Sequence, residues 1–142
     1  MCKPFPAAPS PSGIQVSLTS DHPLMQNGLL SLTLDVQNLS AEVIDNLGTR
    51  QEYDLLVESE SGEVIAQWGL GKTFELALER QHFLPRKVVS KSATWRPKTC
   101  AKQSPLSAGK YFARGLWVTV SRSETTQTTH GWWSNRVEFN VS

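Results

Sequence analysis

The chain is dominated by short runs in which apolar and polar residues alternate. The runs 14–19 and 30–37 show this most clearly, with isoleucine, valine or leucine at every second position. In a strand, successive side chains point to opposite faces, so a period of two predicts strands with one buried face. Further strands are predicted in the segments 53–57, 64–68, 89–95, 112–120 and 133–141. The chain is therefore predicted to be all-β.

One segment is ambiguous, and turn residues separate the others. Residues 73–81 contain helix-forming Glu, Leu, Ala and Arg, but the alternation of Phe74, Leu76 and Leu78 favours a strand, with a short helix as the alternative. Turn signals lie at 27–28, 46–48, 59–62, 85–86, 97–98 and 108–109. Seven to eight short strands at this spacing predict an antiparallel β-sandwich.

Size and charge exclude several classes of protein. The 142 residues fit one domain, and 14 basic against 13 acidic residues leave a net charge of +1. A nucleic-acid-binding protein would carry a strong basic excess, so no nucleic-acid partner is predicted. No apolar run approaches the roughly 20 residues of a membrane helix. The three histidines lack metal-ligand spacing, and we predict neither a metal nor a cofactor.

The first 13 residues form a proline-rich tail ahead of a domain predicted at 14–142. A segment with so few large apolar residues is expected to be extended and mobile. A disulfide from Cys2 to Cys100 would have to hold this tail, so two free thiols are expected, as in the cytoplasm. The alternative is a lipid anchor on Cys2 at the cell envelope, if the true start lies upstream.

A series of short motifs gives the chain a family resemblance. In order, the motifs lie at 36–40, 51–57, 62–68, 71–74, 83–85, 93–95 and 108–111. Their sequences are VQNLS, QEYDLLV, GEVIAQW, GKTF, FLP, ATW and AGKY. This order resembles the bacterial intracellular proteinase inhibitor family of the BsuPI type over roughly residues 29–118. The resemblance implies an immunoglobulin-like β-sandwich that inhibits serine proteases.

Two loops are candidates for contact with a subtilisin-like or trypsin-like protease. An inhibitor typically presents a rigid, extended loop, and residues 98–104 lie between Pro97 and Pro105, which restrict the ends. Lys98 or Lys102 would suit a trypsin-like specificity pocket, and Leu106 a subtilisin-like one. The candidate contacts of this loop are Lys98, Cys100, Lys102 and Leu106. The second candidate loop, 68–73, offers Trp68 and Lys72.

Tryptophans suggest a further partner surface. Trp117 alternates with Leu116 and Val118, and the adjacent Trp132 and Trp133 must point to opposite faces of a strand. Exposed tryptophan is enriched at binding surfaces, so Trp117 and Trp132 are candidate partner contacts. Burial against the second sheet is the competing interpretation.

An enzyme is not predicted. Residues 66–73 match a relaxed phosphate-loop pattern, but Trp68 is bulky for such a loop and the surrounding βα units are missing. Asp54 and Glu52 flank Tyr53 and are interpreted as solvated carboxylates. The alternative to protease inhibition is a non-enzymatic immunoglobulin-like module that binds another protein.

Overall fold

The computed structural model describes residues 1–25, 27–75 and 77–142. These residues form nine strands and no helix. The strands are β1 Ile14–Ser20, β2 Leu30–Asn38, β3 Ile44–Thr49, β4 Tyr53–Glu58, β5 Val64–Gln67, β6 Leu78–Phe83, β7 Val88–Trp95, β8 Gly109–Arg122 and β9 Gln127–Val141. The described chain accordingly contains no helix long and apolar enough to span a bilayer.

The strands form two facing layers. One layer is a four-stranded sheet in the order β5-β4-β8-β9, and the other contains the sheet β1-β2-β7 and the pair β3-β6. All pairs within these sheets are antiparallel. Fully buried side chains from both layers fill the space between them, chiefly Leu32, Leu34, Val36, Leu55, Val57, Ala113 and Phe139. The protein is an all-β, immunoglobulin-like antiparallel β-sandwich, as predicted.

The structure has one strand more than the predicted seven to eight, because β3 occupies a segment that was predicted to turn. Asn46 and Gly48 gave the turn signal, but both contact β6, and Asn46 also contacts β8. Asn46 donates a hydrogen bond to Gln81 and accepts one from Thr119. A Cβ on Gly48 would lie 2.6 Å from Gln81 Nε2, so a larger residue here would displace the Gln81 side chain.

The ambiguous segment 73–81 is a strand only in its second half. β6 begins at Leu78 and pairs with β3 up to Phe83. Residues 73–75 and Ala77 lie outside any strand. Leu76, one of the three residues that favoured a strand, lies outside the described residues.

A bulge in β9 reverses the predicted alternation near the tryptophans. Arg114 pairs with Arg136, but Leu116 pairs with Trp133, so Ser134 and Asn135 together oppose Gly115. The extra residue moves Trp132 to the inner face and Trp133 to the outer one. Asn135 then bridges to β1: its Oδ1 accepts the Leu18 N–H at 2.8 Å, and its Nδ2 donates to the Leu18 carbonyl at 3.1 Å.

The outer face of the four-stranded sheet carries a second apolar cluster. We call it the outer cluster; it consists of Leu56, Leu116 and Val118, with Phe5, Val64 and Trp133 packed against it. Phe5 belongs to the proline-rich tail. The tail was expected to be mobile, but the structure lays it across this face, where it shields the cluster from water.

Candidate functional site

The two candidate loops lie side by side at one end of the sandwich. We call residues 68–73 the glycine loop and residues 98–105 the lysine hairpin. A shallow cleft of about 110 Å³ separates them. Its lining residues are Gln67, Trp68, Leu70, Trp95, Arg96, Lys98 and Gln103. The two loops were predicted as alternative protease-contact sites, whereas in the structure they lie next to each other and form one surface.

The lysine hairpin is tightly closed and attached to β5. The N–H of Thr99 donates to the carbonyl of Ser104 at 2.8 Å, and the N–H of Gln103 donates back to the carbonyl of Thr99 at 2.7 Å. The N–H of Cys100 donates to the carbonyl of Ile65 at 2.9 Å, which fastens the hairpin to the sheet. The hairpin is therefore well anchored. Its tip is a folded turn, however, and not the extended segment that the sequence predicted.

The predicted contacts in this hairpin divide into exposed and buried residues. Lys98 and Lys102 are exposed. Leu106 is only 8% exposed and belongs to the main core, so it cannot enter a protease pocket. Leu106 was predicted to suit a subtilisin-like pocket from its residue type alone. In the structure its side chain points inward and packs between the two layers.

Cys100 is not a free thiol. It forms a disulfide with Cys2, with the two Cα atoms 5.2 Å apart, and no free cysteine remains. The expectation of two free thiols is wrong because it assumed that the tail does not fold. The docked tail brings Cys2 beside β5, where Cys100 is held.

The glycine loop is anchored by the buried carboxylate of Asp54, which was expected to be solvated. Asp54 lies on the outer face of β4 and is fully buried. Its Oδ1 accepts the N–H of Gly69 at 2.8 Å, and its Oδ2 accepts Gln67 Nε2 at 2.7 Å. Burial raises the pKa of Asp54, while these hydrogen bonds act to lower it. Asp54 is thus not the solvated residue expected from its strand position.

This anchoring also excludes a phosphate site in the loop. A phosphate loop needs free backbone N–H groups, but that of Gly69 is committed to the Asp54 carboxylate. A carboxylate beneath the loop would also repel a phosphate. A Cβ on Gly69 would lie 2.9 Å from Asp54 Oδ1, so glycine here permits close approach to the carboxylate.

Aromatic rings form a platform under the exposed part of the loop. Tyr53 stacks on Trp68 with ring centroids 4.7 Å apart, and Lys72 Nζ lies 4.7 Å from the Trp68 ring. Burial is the main cause that raises the pKa of Tyr53, with Glu52 and Asp54 adding to it. The stack holds Lys72 at the surface beside the cleft, where a partner can reach it.

Trp117 and Trp132 are not partner contacts. They are 2% and 4% exposed, and both pack against Phe83 in the core. Trp117 and Leu116 do point to opposite faces of the sheet, as predicted. The face that was predicted to be exposed, however, is the one that packs in the core. Leu116 and Val118 point outward, under the tail, and Trp117 points inward.

Metal ligation finds no support in the described residues. They contain no group of three His, Cys, Asp or Glu side chains placed to hold an ion. His82 pairs with Asp45 across β3 and β6 and is exposed.

Comparison with known proteins gives one family match. The profile of the BsuPI family, described as intracellular proteinase inhibitor, matches residues 18–122 and so extends beyond residues 29–118, over which the motifs resemble the family. No curated protein matches the chain.

Solved structures show distant similarity. The CARDB domain of a Pyrococcus furiosus protein, in complex with di-metal ions, is 12% identical with a TM-score of 0.46, over 99% of this chain and 97% of that one. The putative ApaA protein from Bordetella pertussis is 8% identical with a TM-score of 0.44, over 96% and 98%.

A β-glucosidase from Erythrobacter marinus is 8% identical with a TM-score of 0.46 over 91% of this chain, which spans 16% of the length of that enzyme. The family assignment rests on the profile, which covers most of the sandwich and includes both candidate loops. The chain belongs to the BsuPI family of intracellular proteinase inhibitors.

Proposed function

We propose that this protein binds and blocks a serine protease through the end of the sandwich that carries the glycine loop and the lysine hairpin. Family membership supports proteinase inhibition in general. The observation that carries the choice of surface is that two independently anchored loops meet at one cleft. Loops fixed before binding lose little conformational entropy in the complex, which favours tight association.

The charge of this surface indicates the type of protease. Lys98 lines the cleft, Lys72 and Lys102 are exposed on the two loops beside it, and none of the residues lining the cleft is acidic. A lysine side chain suits an acidic specificity pocket, as in trypsin-like enzymes. With Leu106 in the core, the lysine hairpin offers no leucine to a subtilisin-like pocket, and the one leucine at the cleft is Leu70 of the glycine loop. We therefore propose a trypsin-like target.

The folded tip of the hairpin affects how inhibition would work. A substrate must lie extended in a protease cleft, and the bond between the N–H of Gln103 and the carbonyl of Thr99 opposes this shape. Lys102 at the tip of the hairpin, or Lys98 at its base opposite Pro105, would enter the pocket from a rigid segment that resists becoming a substrate. Cleavage would then be slow compared with binding.

The disulfide bears on where the protein works. Such bonds persist in oxidising compartments and are rare in a reducing cytoplasm, although the family is described as intracellular. We propose that the disulfide-bonded form acts in an oxidising compartment. A lipid anchor on Cys2 would use the same sulfur atom, so it would require the reduced form.

Titration into trypsin and subtilisin assays tests the function. The purified protein should inhibit trypsin more strongly than subtilisin. If it inhibits neither, the alternative of a non-enzymatic interaction module replaces the proposal.

Lysine variants test the surface. In the variant Lys98→Ala/Lys102→Ala, the inhibition constant should rise at least about tenfold, the effect of losing roughly 1.4 kcal/mol of binding free energy. Lys87→Ala is the matched control, because Lys87 is exposed at the opposite end of β7, about 25 Å away along the strand. A change in binding free energy half as large in the control, in proportion to the one charge it removes instead of two, would show that only overall charge matters.

A further inference from the structure

We propose that the outer face of the four-stranded sheet is a binding site for an extended peptide with an aromatic anchor. In the disulfide-bonded protein, the chain's own residues 3–8 occupy this site. We further propose that reduction of the Cys2–Cys100 bond opens it. This inference does not depend on protease inhibition: no residue of the outer cluster lines the cleft between the two loops, and only Gln67 contacts both the tail and the cleft.

The tail contacts the sheet in three places, as a bound peptide would. Near its start, the N–H of Lys3 donates to Gln67 Oε1 at 2.7 Å, and Gln67 Nε2 donates to the carbonyl of Lys3 at 3.1 Å. In the middle, Phe5 packs against the outer cluster. At its end, the N–H of Gly131 donates to the carbonyl of Pro6, and the N–H of Ala8 donates to the carbonyl of Gly131.

The last contact is a strand addition. Ala7 forms a parallel bridge with Gly131 on β9, an edge strand of the sheet. An extended peptide that pairs with a sheet edge while inserting a side chain into an apolar site is a common mode of recognition. The site also contains an unsatisfied donor: Trp133 Nε1 is buried and finds no acceptor in the described chain. A ligand with a suitably placed carbonyl would satisfy that donor.

The disulfide is placed where a reductant can reach it. Cys2 is partly exposed, and both cysteines line a groove of about 390 Å³ together with Lys102, Glu63 and Tyr111. A dithiol reductant would break the S–S bond. The disulfide would gain two electrons and two protons to become two thiols, and the dithiol would be oxidised to its own disulfide. Without the bond, the tail would be retained by two backbone–backbone hydrogen bonds, two hydrogen bonds with the Gln67 side chain, and the packing of Phe5 and Ala8.

Hydrogen exchange of full-length protein tests the opening. On reduction with dithiothreitol, or in Cys2→Ser, exchange of the Gly131 and Ala8 amides should accelerate by about tenfold or more, as expected when a local contact opens. The Asn140 amide is the internal control. It lies on the same edge strand but donates to the carbonyl of Pro23, outside the tail, so its exchange should not change. Unchanged protection of Gly131 in both forms would overturn the redox control.

A peptide titration tests the binding site. The full-length variant Cys2→Ser/Phe5→Ala weakens the competing tail, and the probe is a synthetic peptide with the sequence of residues 3–9. The peptide should give a saturable change in tryptophan fluorescence at up to millimolar concentration, whereas a control peptide with alanine in place of the phenylalanine should not. Leu24→Ala, combined with Cys2→Ser, controls for loss of an apolar residue in the other segment that covers β9. Equal responses to the two peptides, or none, would overturn the proposed site.

Discussion

Asp54 shows how a single residue links stability to the candidate site. Its carboxylate is buried, yet it holds the backbone of Gly69 and the side chain of Gln67. The hydrogen bonds position the glycine loop, and burial imposes a cost on the charged form. The glycine loop is therefore positioned by a carboxyl group whose ionised form is less favourable in the folded protein than its protonated form.

The pH dependence of stability should reveal this cost. Because the pKa of Asp54 is raised in the folded state, the folded protein binds this proton more tightly than the unfolded chain. The contribution of Asp54 to the free energy of unfolding should fall as the pH rises from about 4, the pKa of aspartate in an unfolded chain, through the higher pKa that Asp54 has in the folded state. Asp54→Asn should remove this fall, so the variant should gain stability relative to the native protein across that range.

Urea unfolding at a series of pH values measures the difference between the two proteins. Asp21→Asn is the matched control, since Asp21 is exposed. A constant difference between native protein and Asp54→Asn across the acid range would contradict the raised pKa.

At the scale of the elements, β9 is the strand on which the most connections depend. Three different parts of the chain cover its outer edge: Ala7 in the tail, Leu18 in β1 and Leu24 in the following loop. An uncovered edge would offer free backbone groups to other chains. Asn135 provides the middle connection from the bulge.

Asn135→Ala should destabilise the protein by about 1–3 kcal/mol, because it leaves the backbone N–H and carbonyl of Leu18 without their partners. Asn140→Ala is the matched control on the same strand, where the side chain is exposed. Urea unfolding of both variants tests this. Equal stability of the two would show that water replaces the Asn135 contacts at no cost.

Strands with a regular alternation of apolar and polar residues were predicted correctly from the sequence. Strands that depend on contacts between residues far apart in the sequence were missed. β1 and β2 follow directly from the period of two, and Val89, Ala93 and Trp95 do pack on the core from β7. β3 was missed because Asn46 and Gly48 are typical turn residues, and their contacts to Gln81 lie 35 and 33 positions away.

The candidate site was predicted less completely than the fold. Lys98, Lys102, Trp68 and Lys72 were identified, but nothing in the local sequence indicated that their loops meet. The Tyr-Asp pair of the family motif was a usable signal for Asp54, which was discounted as solvated. Burial of Trp117 and Trp132 against the second sheet was the competing interpretation. Trp117 shares its face of β8 with the buried Tyr111 and Ala113, whereas the face of Trp132 depends on the bulge in β9.

At the scale of the whole molecule, the disulfide closes strands β1 to β7 into one loop, while β8 and β9 lie outside it. Cys2 and Cys100 are separated by 98 positions, and a loop of this length constrains the unfolded chain by about 4.7 kcal/mol in the chain-entropy account. Reduction should therefore lower the urea midpoint of the native protein. Cys2→Ser, measured with and without dithiothreitol, is the control and should show no response. An unchanged midpoint of the native protein on reduction would contradict this role.

The proposed inhibition depends on which end of the sandwich meets the protease. Hydrogen exchange of the complex with trypsin, compared with the free protein, measures this directly. We predict slower exchange in residues 68–73 and 98–105, and no change in the turn at 84–87 at the other end. Protection centred on residues 84–87, with the two loops unaffected, would contradict the proposed surface.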